Sequence, residues 1–227
     1  MKIQNTKSKS KLIIGPAVAV DTLIFAIREG KLCVLLIQIG GGPYENKWAL
    51  PGGIVQVDET LDQAAKNILN KKAGIEGLHM EQLYTFSDLN RDVRGRMVSV
   101  AYFALVDSDK LKPKTIDYYK AIEWREIDQL PALAFDHKKM INYGVERLRA
   151  KIEYSNIVYA LLPKEFTLTE MQMVYEAIAG NKIDKRNFRK KIFSLELLIE
   201  TNKERKGQKN RPAKLYRFKK RELMFTA

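Results

Sequence analysis

Five residues on one stretch of this chain decide what chemistry it can hold. Gly52-Gly53 leads into a segment where Glu59 precedes a helix-compatible run carrying Asn67, Ile68, Lys71 and Lys72. Positions 68, 71 and 72 are i, i+3 and i+4, so on a helix they share one face. Carboxylates on such a face would gather a divalent ion, because magnesium demands hard oxygen ligands in near-octahedral geometry. Isoleucine offers no lone pair, and a protonated lysine has three donors, no acceptor and a charge that repels the ion. No metal site and no catalytic residue is expected here. His79 and His137 each lack a second histidine nearby and read as structural. Cys33, the lone cysteine, lies in an apolar run and reads as a small buried hydrophobe, so there is no disulfide framework.

Residues 52–75 resemble the Nudix box, a loop-helix-loop whose enzymes read G-x5-E-x7-R-E-U-x-E-E-x-G-U, with U aliphatic. Gly53, Glu59, Leu69, Gly74 and Ile75 fall in register, Asn67 stands at the arginine, and Ile68, Lys71 and Lys72 replace the three cation-holding glutamates. Flanking stretches resemble the ADP-ribose-pyrophosphatase-like subgroup. They are the apolar runs after Val20-Asp21 and over Leu32 to Ile39, Gly40-Gly41-Gly42-Pro43, Lys47 to Gly53, Leu83 to Asp88, Arg91 to Arg96, and Val98 to Leu105. The resemblance spans residues 12–150 and implies a Nudix α/β/α sandwich without the Nudix reaction and without a cofactor. It also implies pocket walls carrying Asp21, Gln38, Lys47, Trp48, Asp88, Arg91, Arg94 and Glu123. Lys71 and Lys72 are either solvated helix residues or a replacement for the cation, one ammonium pairing with Glu59.

The net charge of +13 is spread unevenly. Residues 151–227 hold 18 Lys and Arg against 9 Asp and Glu, the first 11 residues add Lys2, Lys7, Lys9 and Lys11, and residues 12–150 are neutral. A basic block beside a neutral domain suggests a polyanionic partner. No apolar stretch approaches the roughly 20 residues of a membrane span. The lysine-rich start before Leu12 to Val20 mimics a signal peptide. Gly15-Pro16 breaks that run, and a cytoplasmic protein is expected.

Three units must position these residues: a basic tail over 1–11, a Nudix-like domain over 12–152 and a winged helix over 153–227. Asp136 can cap a helix over 137–151, with Ile141, Val145, Leu148 and Ile152 at helical spacing. A second helical stretch, Tyr154 to Leu162, is stopped by Pro163. Thr167-Leu168-Thr169-Glu170 fits a capping box opening a helix to Ala179, which Gly180 ends. Asp184 then starts a basic helix whose Phe188 and Ile192 point inward at i and i+4. Two helices joined by a short turn read as helix-turn-helix. Leu195 to Thr201 and Lys214 to Lys219 read as strands around a basic loop over 202–210, the wing.

The stretches from Asp184 to Lys191 and from Arg211 to Phe218 resemble Nudix-related transcriptional regulators, which join an often non-hydrolytic Nudix domain to a winged helix. That resemblance implies an α+β chain acting as a homodimeric regulator, a repressor, that reads palindromic double-stranded operator DNA and answers a small effector. DNA-binding candidates are Lys185, Arg186, Asn187, Arg189, Lys190, Lys191, Lys203, Arg205, Lys206, Lys209 and Arg211. Arg186 and Arg189 suit guanine edges, because a guanidinium grips O6 and N7 with two bonds. The expected effector is a pentose such as arabinose, from the family's sugar-responsive branch, or ADP-ribose. Two other classes compete: a Nudix hydrolase of ADP-ribose-like compounds with a nucleic-acid-binding appendage, and a non-catalytic RNA-binding scaffold.

Overall fold

A computed structural model describes residues 15–73, 80–107, 119–205 and 212–225, with the backbone alone for 71–73. Among them, seven strands form one sheet: β1 (Ala17–Arg28), β2 (Lys31–Ile39), β3 (Trp48–Ala49), β4 (Gly52–Ile54), β5 (Glu81–Phe86), β6 (Met97–Leu105) and β7 (Tyr119–Glu126). Their order is β3-β2-β1-β6-β5, with β4 also on β1 and β7 on β2. β1 and β2 are joined by Glu29 and Gly30, both at positive φ, the two-residue turn that suits the twist of a hairpin.

β1 is buried on both faces because a helix covers each. Val20 packs with Ala64, Ala65 and Ile68 of α1 (Leu61–Ala73). Leu23 and Phe25, of the opposite phase, pack with Met140, Ile141 and Val145 of α2 (His137–Tyr154). α2 lies close on the strand: a Cβ at Gly144 would stand 2.6 Å from Leu23 Cδ2. Each buried Val, Leu, Ile, Phe or Met among them contributes about 1.5–3 kcal/mol.

β1 and β2 pair only from Phe25 and Val34 to the turn. Toward their other ends they part, β1 pairing with Gly52 to Ile54 while β2 pairs with Trp48 and Ala49. That divergence opens a cleft at one end of the sheet.

The expected boundary at residue 152 falls inside α2, which runs on to Tyr154. Two expectations about this region are corrected. Asp136 precedes α2 but its side chain makes no cap hydrogen bond; the carboxylate is turned to Arg91 instead. The helix expected over Tyr154 to Leu162 is a single 3-10 turn, Ile157–Ala160. Ser155 is extended, and the buried Asn156 amide donates to Glu222 O at 3.0 Å and accepts from Met224 N at 2.7 Å. Those bonds to the end of the chain replace helical ones.

The C-terminal half is built from α3 (Leu168–Ala179), α4 (Lys185–Ser194), β8 (Leu198–Arg205) and β9 (Ala213–Phe218). The Thr167–Glu170 capping box is formed on both sides, and Gly180 ends α3 at φ 78°. The Asp184 carboxylate accepts from Asn187 N to start α4. Glu176 clasps the turn between the helices, accepting from Lys182 Nζ at 2.8 Å, Gln172 Nε2 at 2.9 Å and Ile183 N at 3.2 Å. Lys182, then Gln172 and Ile183, draw its carboxyl down to about 2. One apolar cluster runs from Leu23 and Leu32 of the sheet through α2 to Met171, Phe188, Ile192 and Phe218, so both halves share a core. β8 begins later than expected and extends further, which places Lys203 and Arg205 in the strand rather than the loop. Lys206, Lys209 and Arg211, with His79 and the N-terminal lysines, lie outside the described residues.

Candidate functional site

The cleft where β1 and β2 part is a cavity of about 360 Å³. Such a volume suits a small-molecule ligand. Its apolar wall is Ile37, Ile39 and Ala49, and its aromatic wall is Tyr44 and Phe135, whose rings lie 4.1 Å apart between centroids. Tyr44 is fixed by accepting from Val93 N at 3.1 Å.

The floor is a buried ionic network. Arg91 forks onto Asp136, Nε to Oδ2 at 3.2 Å and Nη2 to Oδ1 at 2.8 Å, and its Nη2 lies 3.6 Å from Asp21 Oδ2. Ser99 Oγ donates to Asp21 Oδ2 at 2.6 Å. Leu50 N donates to His137 Nδ1 at 2.9 Å, which leaves the ring proton on Nε2, 3.5 Å from Asp21 Oδ1. Burial alone would raise the Asp21 carboxyl, but His137, Ser99 and Arg91 outweigh it and hold it below the ordinary carboxylate range. Glycine is required beside it, since a Cβ at Gly52 would lie 1.8 Å from Asp21 Oδ1. Nearer the mouth, Arg94 grips Asp92, its Nη2 2.6 Å from Oδ2, and lies over the Phe135 ring at 5.3 Å. The site thus combines carboxylates that accept from hydroxyls, an aromatic wall for a flat group and a guanidinium for an anion.

Of the residues expected in the pocket walls, Asp21, Arg91 and Arg94 line this cavity. Gln38, Lys47, Trp48, Asp88 and Glu123 do not. Side chains alternate along a strand. Ile37, Ile39 and Ala49 face the cavity, so Gln38 between the first two and Trp48 beside the third point away. Gln38 donates to Asn46 O, Trp48 carries the Arg125 guanidinium at 4.8 Å, and Glu123 pairs with that arginine. Asp88 is bound at the surface by Lys139, and Lys47 is exposed. Tyr44, Asp92, Phe135 and His137 line the cavity without having been singled out for it; His137 and Phe135 reach it from the start of α2, far along the chain.

The box helix lies on the other face of the sheet. Glu59 accepts from Gln56 N at 2.9 Å and from Asn67 Nδ2 at 3.0 Å, so Asn67 holds the glutamate from the arginine's position. Ile68 is buried against Val20, Ala64 and Val100. The side chains of Lys71 and Lys72 lie outside the described residues. Among the described residues no cluster of three His, Cys, Asp or Glu could hold a metal.

A second cavity, about 490 Å³, separates the β1–β2 turn from α3 and is lined by charges of both signs, among them Lys31, Asp128, Arg149 and Glu176.

On α4, Phe188 and Ile192 are buried, while Lys185, Arg186, Asn187, Arg189 and Lys190 are exposed. Six other cations of this half are paired: Lys182 with Glu176 at 2.8 Å, Lys191 with Glu153 at 2.8 Å, Lys203 with Glu165 at 2.9 Å, Lys214 with Glu200 at 2.7 Å, Lys220 with Glu222 at 3.5 Å, and Arg205 with Glu170. The exposed cations of α4 therefore form a basic face open to a polyanion. No helix among the described residues is long and apolar enough to cross a membrane.

A Nudix-type sandwich with a cavity at the parted end of its sheet, joined to a winged helix, is the class of protein defined here. The NUDIX domain model matches residues 15–143, and the NrtR DNA-binding winged helix domain model matches residues 158–218. The ADPR responsive transcriptional repressor NtrR of Acinetobacter baylyi is 37% identical over 208 residues, 90% of this chain and 82% of that protein. The crystal structure of Shewanella oneidensis NrtR complexed with a 27-mer DNA is similar at a TM-score of 0.78 and 35% identity, covering 89% of this chain and 93% of that one. The NUDIX domain of that NrtR complexed with ADP ribose is similar at 0.54 and 32% identity, over 60% of this chain and 90% of that one. The chain belongs to the NrtR-type family of transcription regulators, which combine a Nudix domain with a winged helix.

Proposed function

We propose that this protein is a repressor that binds double-stranded operator DNA through α4 and the β8–β9 hairpin and is controlled by ADP-ribose in the sheet cavity. The observation that carries the DNA half is the exposed row Lys185, Arg186, Arg189 and Lys190 on a helix anchored by Phe188 and Ile192. Guanidinium groups there suit guanine edges, and the lysines suit phosphates. The effector half rests on the cavity's chemistry and on two relatives, one described as ADPR responsive and one complexed with ADP ribose. Asp21 offers acceptors to ribose hydroxyls, Tyr44 and Phe135 a wall for adenine, and Arg94 a positive charge for a diphosphate. The pentose expected from the sequence has no counterpart among these relatives, and the effector reading moves to ADP-ribose.

The sensing domain runs to the end of α2 at Tyr154 and the DNA-binding domain follows it, and two copies read the half-sites of a palindrome, as dimer symmetry requires. The chain hydrolyses nothing of the Nudix class, because Ile68 brings no oxygen to the box and is packed in the core. Selection from a random duplex library, with and without ADP-ribose, tests the reading. We expect a palindromic sequence to be retained, ADP-ribose to release it, and no turnover of ADP-ribose with magnesium or manganese. Retention indifferent to ADP-ribose would refute the effector, and steady turnover would refute the inactive box.

A further inference from the structure

The two strands of the hairpin are held differently. β9 is tied by its backbone to the segment before α3: Phe166 N donates to Tyr216 O at 2.9 Å, and Tyr216 N to Phe166 O at 2.8 Å. β8 loses its ladder between Glu200 and Glu204, where the register shifts and Asn202 takes a φ of 56°. Within and just past that irregularity two cations on β8 reach the body of the domain. Lys203 Nζ donates to both oxygens of Glu165, at 2.9 and 3.2 Å. Arg205 pairs with Glu170 Oε1 and also donates to Glu165 O at 3.4 Å.

The other oxygen of Glu170 is committed elsewhere. Oε2 accepts from Thr167 N at 2.8 Å and from Thr167 Oγ1 at 3.2 Å, closing the capping box of α3. One carboxylate therefore starts the first helix of the helix-turn-helix and fixes the strand that leads into the wing. Half-exposed ion pairs of this kind contribute little to stability. What the pair supplies is geometry.

We propose that Glu170 is a positioning residue for DNA recognition: through Arg205 it sets β8 of the hairpin against α3, with Glu165 and Lys203 as a second brace. Base discrimination then depends on a glutamate outside the basic face, and Lys203 and Arg205 become braces rather than phosphate contacts. The inference rests on the DNA-binding reading above.

The test uses the full chain, the duplex that the wild type selects from a random library, and a scrambled duplex. Glu170→Gln keeps an acceptor for Thr167 N, since glutamine serves in a capping box, but offers Arg205 no charge. Arg205→Gln spares the cap entirely, so it reports on the wing even if the first variant is less stable. We expect each substitution to lower the ratio of selected to scrambled affinity about tenfold, and the double variant to add nothing, as for residues acting through one contact. Discrimination equal to wild type in both variants would overturn the proposal. So would an Arg205→Gln protein that binds both duplexes equally more weakly with a salt slope shallower by about one, because that is a phosphate contact. If the wild type selects no sequence, the DNA-binding reading itself fails and takes this inference with it, a result seen before any variant is compared.

Discussion

The Asp21 carboxylate occupies the space that a side chain at Gly52 would need: a Cβ there would meet Asp21 Oδ1 at 1.8 Å and Val20 O at 3.0 Å. The glycine that begins the box segment is thus a condition for the cavity on the opposite face. We expect Gly52→Ala to destabilise the fold by about 1–3 kcal/mol, the usual cost of forcing atoms into a packed site. It should also abolish the rise in melting temperature that a ligand of the native state confers. Thermal melts with and without ADP-ribose measure both. A variant that melts and binds like the wild type would show that Asp21 can move freely.

Arg91 neutralises two acids at once, and its side chain is 2% exposed. Arg91→Met leaves Asp21 and Asp136 without that counter-charge, at a cost of about 3–5 kcal/mol for a broken buried pair. Urea unfolding at neutral pH checks this. The sign with pH follows from Asp21, whose folded carboxyl lies below its ordinary 3.8. Its contribution to stability is present above that value and is lost as pH falls through the folded value. Removing Arg91 removes one of the groups that lower it. The variant should therefore lose less stability than the wild type on acidification below pH 3.8.

Much of the helical half was legible in the sequence because its signals are local. Thr167 and Glu170 are three residues apart, Phe188 and Ile192 four, and each pair forms within one turn, so spacing alone specifies it. The cavity depends on long-range register. The run from Leu32 to Ile37 is apolar on both phases, so nothing local shows that Ile37 rather than Gln38 faces the cavity. Phe135 and His137 were missed for the same reason: Leu50 N meets His137 Nδ1 across 87 residues of chain. Asp136 looked like a helix cap because the sequence does not show Arg91 arriving to claim it.

Glu176 makes the turn between α3 and α4 sensitive to acid. Its carboxyl lies at about 2 against an ordinary 4.5, so its contribution is complete above 4.5 and fades as pH falls toward about 2. Glu176→Gln should flatten the stability profile across that window. Chemical denaturation at a series of pH values measures it, and parallel profiles for the two proteins would count against the clasp.

On α4, Arg189→Ala should relax base preference at one operator position at a cost of roughly 1–3 kcal/mol, whereas Lys185→Ala should weaken all sequences alike and shallow the salt slope by about one. Competition binding against single-position operator variants at several salt concentrations separates the two. Equal losses on specific and random DNA for both substitutions would show that α4 is not the reading helix.

Among the described residues, one apolar cluster runs from Leu23 through α2 to Phe218 and joins the two halves. Heat should therefore melt sensor and DNA reader in a single event. A molecule held above Asp21 would then slow amide exchange along α4 as surely as in β1, although it touches only the latter.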